Sequence, residues 1–268
     1  MSMSVEKNSD TPAAEEVERY SVFTPSEKWC IVAMVSCAAW FSTLSSFIYY
    51  PALHSIAQAL SVSVAKVNLT VTSYLAVATI APTLLGDAAD TIGRRPVYLI
   101  VLGLYFVANI SIALSESYDA LLGLRLLQAA AISGTFSIAY GVLTDIASSA
   151  ERGSFVGAVS FALGPILGGS LTYAAGWTWI FWFLAIASGL CSSVMLCFLP
   201  ETARNIVGNG SVTPPKYLRL PIPTSWMCHW QDSNDAASRT RRIPNPLTSV
   251  MILFRRDNAT IIFACGLL

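Results

Sequence analysis

The chain has 268 residues, and sixteen Lys and Arg are balanced by sixteen Asp and Glu, so the formal net charge is zero. Hydrophobic residues make up 54% and charged residues only 12%, roughly half the ~25% of a soluble domain, with a mean hydropathy of +0.58. This composition excludes a soluble globular enzyme and a largely disordered chain, and without a basic excess no nucleic-acid partner is expected. It is the composition of an all-α integral membrane protein, with the lipid bilayer as its first partner.

In chain order, residues 1–28 form a polar, acidic tail with no apolar stretch, so it is not a cleavable signal peptide. The first span must act as the insertion signal. Charged residues are then absent from 29–65, 67–86, 96–115, 126–144 and 153–200. A hydrocarbon core of ~30 Å takes about 20 helical residues, so the last run holds two spans. Ala174-Ala175-Gly176-Trp177 is the natural turn between them. Six spans are predicted, over 29–50, 67–86, 96–114, 120–143, 154–173 and 178–198, making a six-helix transmembrane half over 29–198. Runs this long and uniformly apolar do not fit the alternation of barrel strands.

Basic residues set the orientation. With the N-terminus in the cytoplasm, fourteen of the sixteen Lys and Arg fall on the inner side; Lys66 lies outside and Arg125 within a span. Residues 199–257 read as a cytoplasmic linker, because Pro214-Pro215, Pro221, Pro223, Pro244 and Pro246 do not support a packed domain. Residues 258–268 turn apolar again but are too short to cross, and are expected to be the start of a truncated seventh span.

Signals for other chemistry are missing. The cysteines, Cys30, Cys37, Cys191, Cys197, Cys228 and Cys265, show no C-x-x-C spacing, and most fall in spans, where a free Cys is a small hydrophobe. With only His54 and His229, no metal site is expected. There is no phosphate-binding loop, no H-E-x-x-H and no G-x-S-x-G, so neither an ATP-driven pump, an enzyme nor a cofactor is expected.

Five constellations carry the functional reading. Gly86-Asp87-Ala88-Ala89-Asp90-Thr91-Ile92-Gly93-Arg94-Arg95-Pro96 joins spans two and three as a loop, with glycines for a tight reversal and Asp90 spaced to pair with Arg94. Arg125 lies inside span four, where a charge costs ~2.5–3.5 kcal/mol unless it meets a polar cavity, finds a partner or snorkels to the outer surface. Gln128 shares its helical face. Gly164-Pro165-Ile166-Leu167-Gly168-Gly169 in span five supplies a small-xxx-small packing pair and a bend at Pro165. Asp145 ends span four, and Pro200-Glu201-Thr202-Ala203-Arg204 follows span six.

The G-x-x-x-D-x-x-G-R-R string closely resembles the signature loop of the major facilitator superfamily of secondary transporters. Arg125-x-x-Gln128 resembles its span-four motif, tied to proton coupling. G-P-x-x-G-G resembles the motif of its exporters, and P-E-T-x-R that of twelve-span drug:proton antiporters, most like the fungal members. The resemblance covers 29–210. It implies the N-terminal half of a major-facilitator bundle, a small-molecule substrate and protons as partners, and a missing C-terminal half. It further implies that Arg94 and Asp145 bridge the second-third loop to span four.

Two departures stand out. One half is present where the family has two, and the stretch between Gly157 and Gly164 is shorter than the family's. The resulting expectation is proton-coupled export of small amphiphilic drugs or metabolites by alternating access, in the plasma membrane or the vacuolar membrane. The alternative is a truncated fragment that does not transport. A membrane enzyme or six-span channel lacks the clustered His, Asp or Ser it would need. Trp40, Phe41, Phe47, Tyr49 and Tyr50 of span one are read as lipid-facing or interfacial residues rather than a drug site.

Overall fold

The computed structural model describes residues 23–147 and 164–207. The tail before residue 23, the first half of expected span five, the linker from 208 and the terminal stub lie outside the described residues. So does the stretch from Gly157 toward Gly164 that was expected to be shorter than the family's. Among the described residues the regular structure is all helical: α1 Pro25–Phe47, a 3-10 turn Tyr50–Ala52, α2 Leu53–Ala59, α3 Val64–Ile92, α4 Arg94–Ala113, α5 Tyr118–Ile132, α6 Gly134–Ile146, α7 Gly164–Ala175, α8 Thr178–Phe198 and α9 Arg204–Val207.

The ends of these helices follow from local chemistry. Thr24 and Glu27 form a reciprocal cap at the start of α1: the Thr24 N–H donates to Glu27 Oε2 at 2.7 Å, and the Glu27 N–H to Thr24 Oγ1 at 3.4 Å, with Pro25 in the first turn. Pro51 sits in the 3-10 turn, and α1 through α2 forms one apolar run, Pro25–Ala59. The expected first span ended at residue 50; the helix resumes because Pro can occupy a first helical turn. Likewise α5 and α6 break only at Ser133 and together make the 29-residue run Tyr118–Ile146.

Five helical runs are long and apolar enough to cross a membrane. They match five of the six expected spans. Of expected span five, the described part is α7, whose apolar stretch Ile166–Ala175 is shorter.

The expected loop between spans two and three is largely helix. α3 continues without interruption through Gly86, Asp87 and Asp90 to Ile92, despite Pro82 inside it. The reversal is confined to Gly93, whose φ of +122° is open to glycine and strained for other residues. Short polar residues near an apolar run suggest a loop to a composition count, but here the helix continues past the apolar boundary.

Packing is close, and α3 runs parallel to α5 and α6: Lys66 lies by Tyr118, Tyr74 by Arg125 and Leu85 by Gly134. α4 packs between α5 and α8, α3 lies against α5 and α6, and α1 against α6 and α8. Ile31, Val35, Ala38 and Leu44 of α1 meet Val101, Tyr105, Ile138, Phe181 and Leu184 in one core. Gly168 lets α7 approach the end of α1, since a β-carbon there would overlap the Ile48 carbonyl oxygen. Of the five long runs α3 is the least buried: 17% of its apolar window is buried, against 67% for α1.

Candidate functional site

Two polar clusters stand out in this apolar bundle. The first gathers at the end of the bundle where α3 meets α4 and α6 and α8 terminate. Arg94 forms an ion pair with Asp90 one turn back and donates through Nε to Asp145 Oδ2 at 3.1 Å. α3, α4 and α6 are thereby tied together. Asp145 is well buried, its side chain 10% exposed, whereas Asp90 is 52% exposed.

The segment after α8 closes this cluster. Gly93 has no side chain to cap α4, and Glu201 does so from elsewhere in the chain. Its carboxylate accepts the N–H groups of Arg94 at 2.8 Å and Arg95 at 3.3 Å, and those of its own neighbours Thr202 and Ala203 at 3.1 and 3.0 Å. An anion at a helix N-terminus satisfies both the free donors and the dipole. Burial pushes the Glu201 carboxyl above the usual carboxylate range, against the pull of these four donors. Arg204 acts at the opposite pole: its Nε and Nη2 donate to the Asp145 carbonyl at 3.1 and 3.0 Å, capping the C-terminus of α6. Arg95 donates through Nη2 to the Leu196 carbonyl at 2.7 Å near the end of α8.

Gly86 and Gly93 keep this end compact. A β-carbon on Gly86 would come 2.6 Å from Ser137 Oγ of α6, and one on Gly93 would come 2.7 Å from Glu201 Oε2.

The second cluster lies within the bundle. Arg125 is 1% exposed, so it does not snorkel. Its guanidinium carbon sits 4.1 Å from the ring centre of Tyr49 and 4.5 Å from that of Tyr74. Cation–π contacts of this desolvated kind are worth about 2 kcal/mol. Nη1 donates to Gln128 Oε1 at 2.6 Å, and Gln128 Nε2 donates to Asn109 Oδ1 at 2.8 Å. Asn109 continues to the Tyr105 carbonyl at 2.7 Å, and Tyr105 donates its hydroxyl to Ser45 Oγ at 3.1 Å. Tyr49 Oη meets Thr70 Oγ1 at 3.1 Å. The network thus joins α1, α3, α4, α5 and the start of the 3-10 turn. Among the described residues no carboxylate forms an ion pair with Arg125.

The aromatic residues of span one divide. Tyr49 and Phe41 are buried in the bundle, contrary to the lipid-facing expectation, while Phe47 and Tyr50 are exposed. Of the glycine motif, Gly168 and Gly169 are described in their surroundings; the side-chain surroundings of Gly164 and Pro165 lie outside the described residues.

Glu201 and Arg204 were legible in the sequence as part of the P-E-T-x-R string, but their roles at two helix ends were not; Asn109 and Tyr74 were passed over. Asn109, Tyr49 and Tyr74 carried no charge signal; the unusual feature was an amide, Asn109, in mid-span.

The family model of the Major Facilitator Superfamily matches residues 35–268. The chain belongs to this superfamily. It is similar to Multidrug transporter QDR2 of Candida glabrata, at 42% identity over 80% of this chain and 38% of that protein. It is equally similar to Citrate exporter 1 of Aspergillus niger, at 42% identity over 79% of this chain and 41% of that one. In fold it resembles the proton:xylose symporter XylE bound to 6-bromo-6-deoxy-D-glucose, with a TM-score of 0.58 and 17% identity over 68% of this chain and 46% of that one. The chain therefore spans about two fifths of the length of the curated relatives it matches. It is a multi-pass membrane protein with the fold of one facilitator half.

Proposed function

We propose that this chain builds the N-terminal wall of a proton-coupled exporter of small amphiphilic drugs or metabolites, working by alternating access against a facing C-terminal half. Relatives named as a multidrug transporter and a citrate exporter support export, as does the Gly164-Pro165-x-x-Gly168-Gly169 string. The observation that carries the reading is Arg125, a fixed charge held inside an apolar bundle by two tyrosine faces and one amide.

Such a charge is costly in hydrocarbon and rarely retained for packing alone. Arg125 keeps its proton at physiological pH, so it is not the proton carrier. Its field would favour the ionised form of a carboxylate, or a substrate anion, arriving near mid-membrane from the facing half. Gln128 and Asn109 hold it in place. The exposed face of α3 is the surface on which the facing half would close.

In the orientation with the N-terminus cytoplasmic, the Asp90–Arg94–Asp145 cluster and Glu201 stand at the cytoplasmic mouth. There they would hold the ends of α3, α4 and α6 as one body, so that the half rocks as a unit. The plasma membrane is the proposed location, with the vacuolar membrane as second choice; a fluorescent fusion distinguishes them.

The test is efflux from cells expressing the complete coding sequence in a strain deprived of its own drug exporters. Substrate should leave faster when the outside is acidic, and a protonophore should abolish the difference. Efflux indifferent to the proton gradient would reject proton coupling, and no efflux of any drug or organic acid tried would reject the exporter reading.

A further inference from the structure

Several glycines of the bundle are crowded, and most of them by apolar neighbours. Gly134 of α6 meets Leu85 of α3, and Gly189 of α8 meets Phe106 of α4, as close helix packing requires. Gly103 and Gly123, by contrast, have open space beside them. Gly141 of α6 differs from these four, because the group against it is a cation. A β-carbon there would stand 2.5 Å from Cζ and Nη1 of Arg94 and 2.6 Å from Nη2.

Those three nearly equal distances fix the orientation. At this range no point in the plane of a guanidinium is equally far from its carbon and both terminal nitrogens, so the group lies with its flat face on Gly141. Its edges are turned to the acids. Nε donates to Asp145, one turn further along α6, and Nη2 pairs with Asp90 of α3. The root of the side chain is fixed as well, because the Arg94 N–H donates to Glu201 at 2.8 Å. A side chain at 141 must therefore lift the head off α6 while its root stays in place. The lifted head no longer reaches Asp90 and Asp145 together.

We propose that Gly141 is a positioning residue of the cytoplasmic cluster: the bare backbone of α6 forms the floor of a slot that admits one flat guanidinium and orients it between two carboxylates. This inference rests on the reading of that cluster as the device that holds α3, α4 and α6 as one rocking body. It adds that the slot takes arginine for its shape as well as its charge. A lysine ammonium has no flat face and no fork, so it meets one acid and leaves the floor uncovered. Gly141 and Arg125 lie on the same span, sixteen positions apart, which is about 24 Å of helix. A change in the slot therefore acts on the rate of rocking and leaves the binding of substrate near Arg125 as it was.

The slot is tested without transport, by a double-mutant cycle on the whole chain in detergent. Unfolding midpoints are compared for the wild type, Gly141→Ala, Arg94→Lys and the double variant. Gly141→Ala alone should lower the midpoint by several degrees. In the Arg94→Lys background the same change should cost nothing or raise the midpoint, because the floor is unused and alanine is the better helix former. Gly123→Ala, in open space on the same span, is the control and should not lower it. An equal loss in both backgrounds would make Gly141 ordinary helix packing and overturn the proposal, as would a Gly141→Ala midpoint at or above the wild type. If Gly141→Ala yields no folded chain, recovery of yield in the double variant supports the slot, and no recovery overturns it. In the complete protein, Gly141→Ala should reduce efflux turnover severalfold with the half-saturating drug concentration unchanged. Coupling in the cycle together with normal turnover would leave the slot standing and reject its part in transport, so the two failures are told apart.

Discussion

The Glu201 carboxylate accepts the backbone N–H of Arg94 at 2.8 Å, although 107 positions separate the two residues. One side chain from the segment that leaves the bundle thus finishes a helix that begins far upstream. The reason is local. The reversal before α4 requires glycine, which brings no side-chain acceptor, so the first turn of α4 would otherwise carry unpaired donors. Arg204, three residues on, does the reciprocal service for α6.

Glu201→Ala should therefore destabilise the bundle by about 1–3 kcal/mol, because buried N–H groups lose their acceptor. Glu201→Gln should fall between the wild type and Ala, since one of its two oxygens is retained. Thermal unfolding in detergent, followed by the fluorescence of a thiol-reactive dye, measures the order. Equal midpoints for all three proteins would show that the cap contributes nothing.

The charge cluster predicts an order too. Asp145 is buried against Arg94 while Asp90 is half exposed. Removing one partner of a buried pair costs about 3–5 kcal/mol, and an exposed one ~1 kcal/mol or less. Asp145→Asn should thus reduce membrane-inserted yield far more than Asp90→Asn. Exchanging Arg94 and Asp145 should recover part of the loss of either single change. A double variant no better than the worse single variant would mean that the pair carries no coupling.

How much of this was legible beforehand follows from the kind of signal each feature leaves. Long charge-free runs gave the helices, because desolvating an unpaired charge in hydrocarbon is costly. Their ends were less legible. α3 runs six residues past Gly86, where the charge-free run ends, through Asp87 and Asp90 to Ile92. The pairing of Asp90 with Arg94 could be read from i, i+4 spacing. The roles of Glu201 and Arg204 could not, since they depend on which helix ends converge. The box around Arg125 was invisible for the same reason: Tyr49 precedes the 3-10 turn and Tyr74 lies on α3, and aromatic residues near a span end resemble an interfacial belt.

The two glycines of α7 that have described surroundings predict a contrast. A β-carbon on Gly168 would overlap the backbone carbonyl of Ile48, which cannot move without shifting α1. One on Gly169 would come no closer than 4.0 Å to Pro51 Cβ, an ordinary contact. Gly168→Ala should cost about 1–3 kcal/mol as overpacking. Gly169→Ala should be neutral or slightly stabilising, because alanine favours helix. Unfolding midpoints of the two variants decide it, and a midpoint for Gly168→Ala at or above the wild type would refute the close approach of α7 to α1.

Arg125 gives the sharpest separation between folding and transport. Replacing it with Lys keeps the charge but not the plane: an ammonium cannot stack on two tyrosine faces while reaching Gln128 at the same time. Replacing it with Ala removes the charge and leaves Gln128 Oε1 without its donor. The second change removes a buried charge that cost energy to hold, so insertion and surface level should stay near wild type. Both variants, in the complete protein, should lose proton-driven efflux by tenfold or more, the size of a lost interaction of ~1.4 kcal/mol or greater. If Arg125→Lys transports normally, charge alone suffices and the stacked geometry is incidental. If Arg125→Ala transports normally at normal surface level, the residue is a structural filler and the proton-coupling reading fails. Gln128→Leu tests the same network from its other side, and should reduce efflux less than Arg125→Ala, since the guanidinium keeps both aromatic faces.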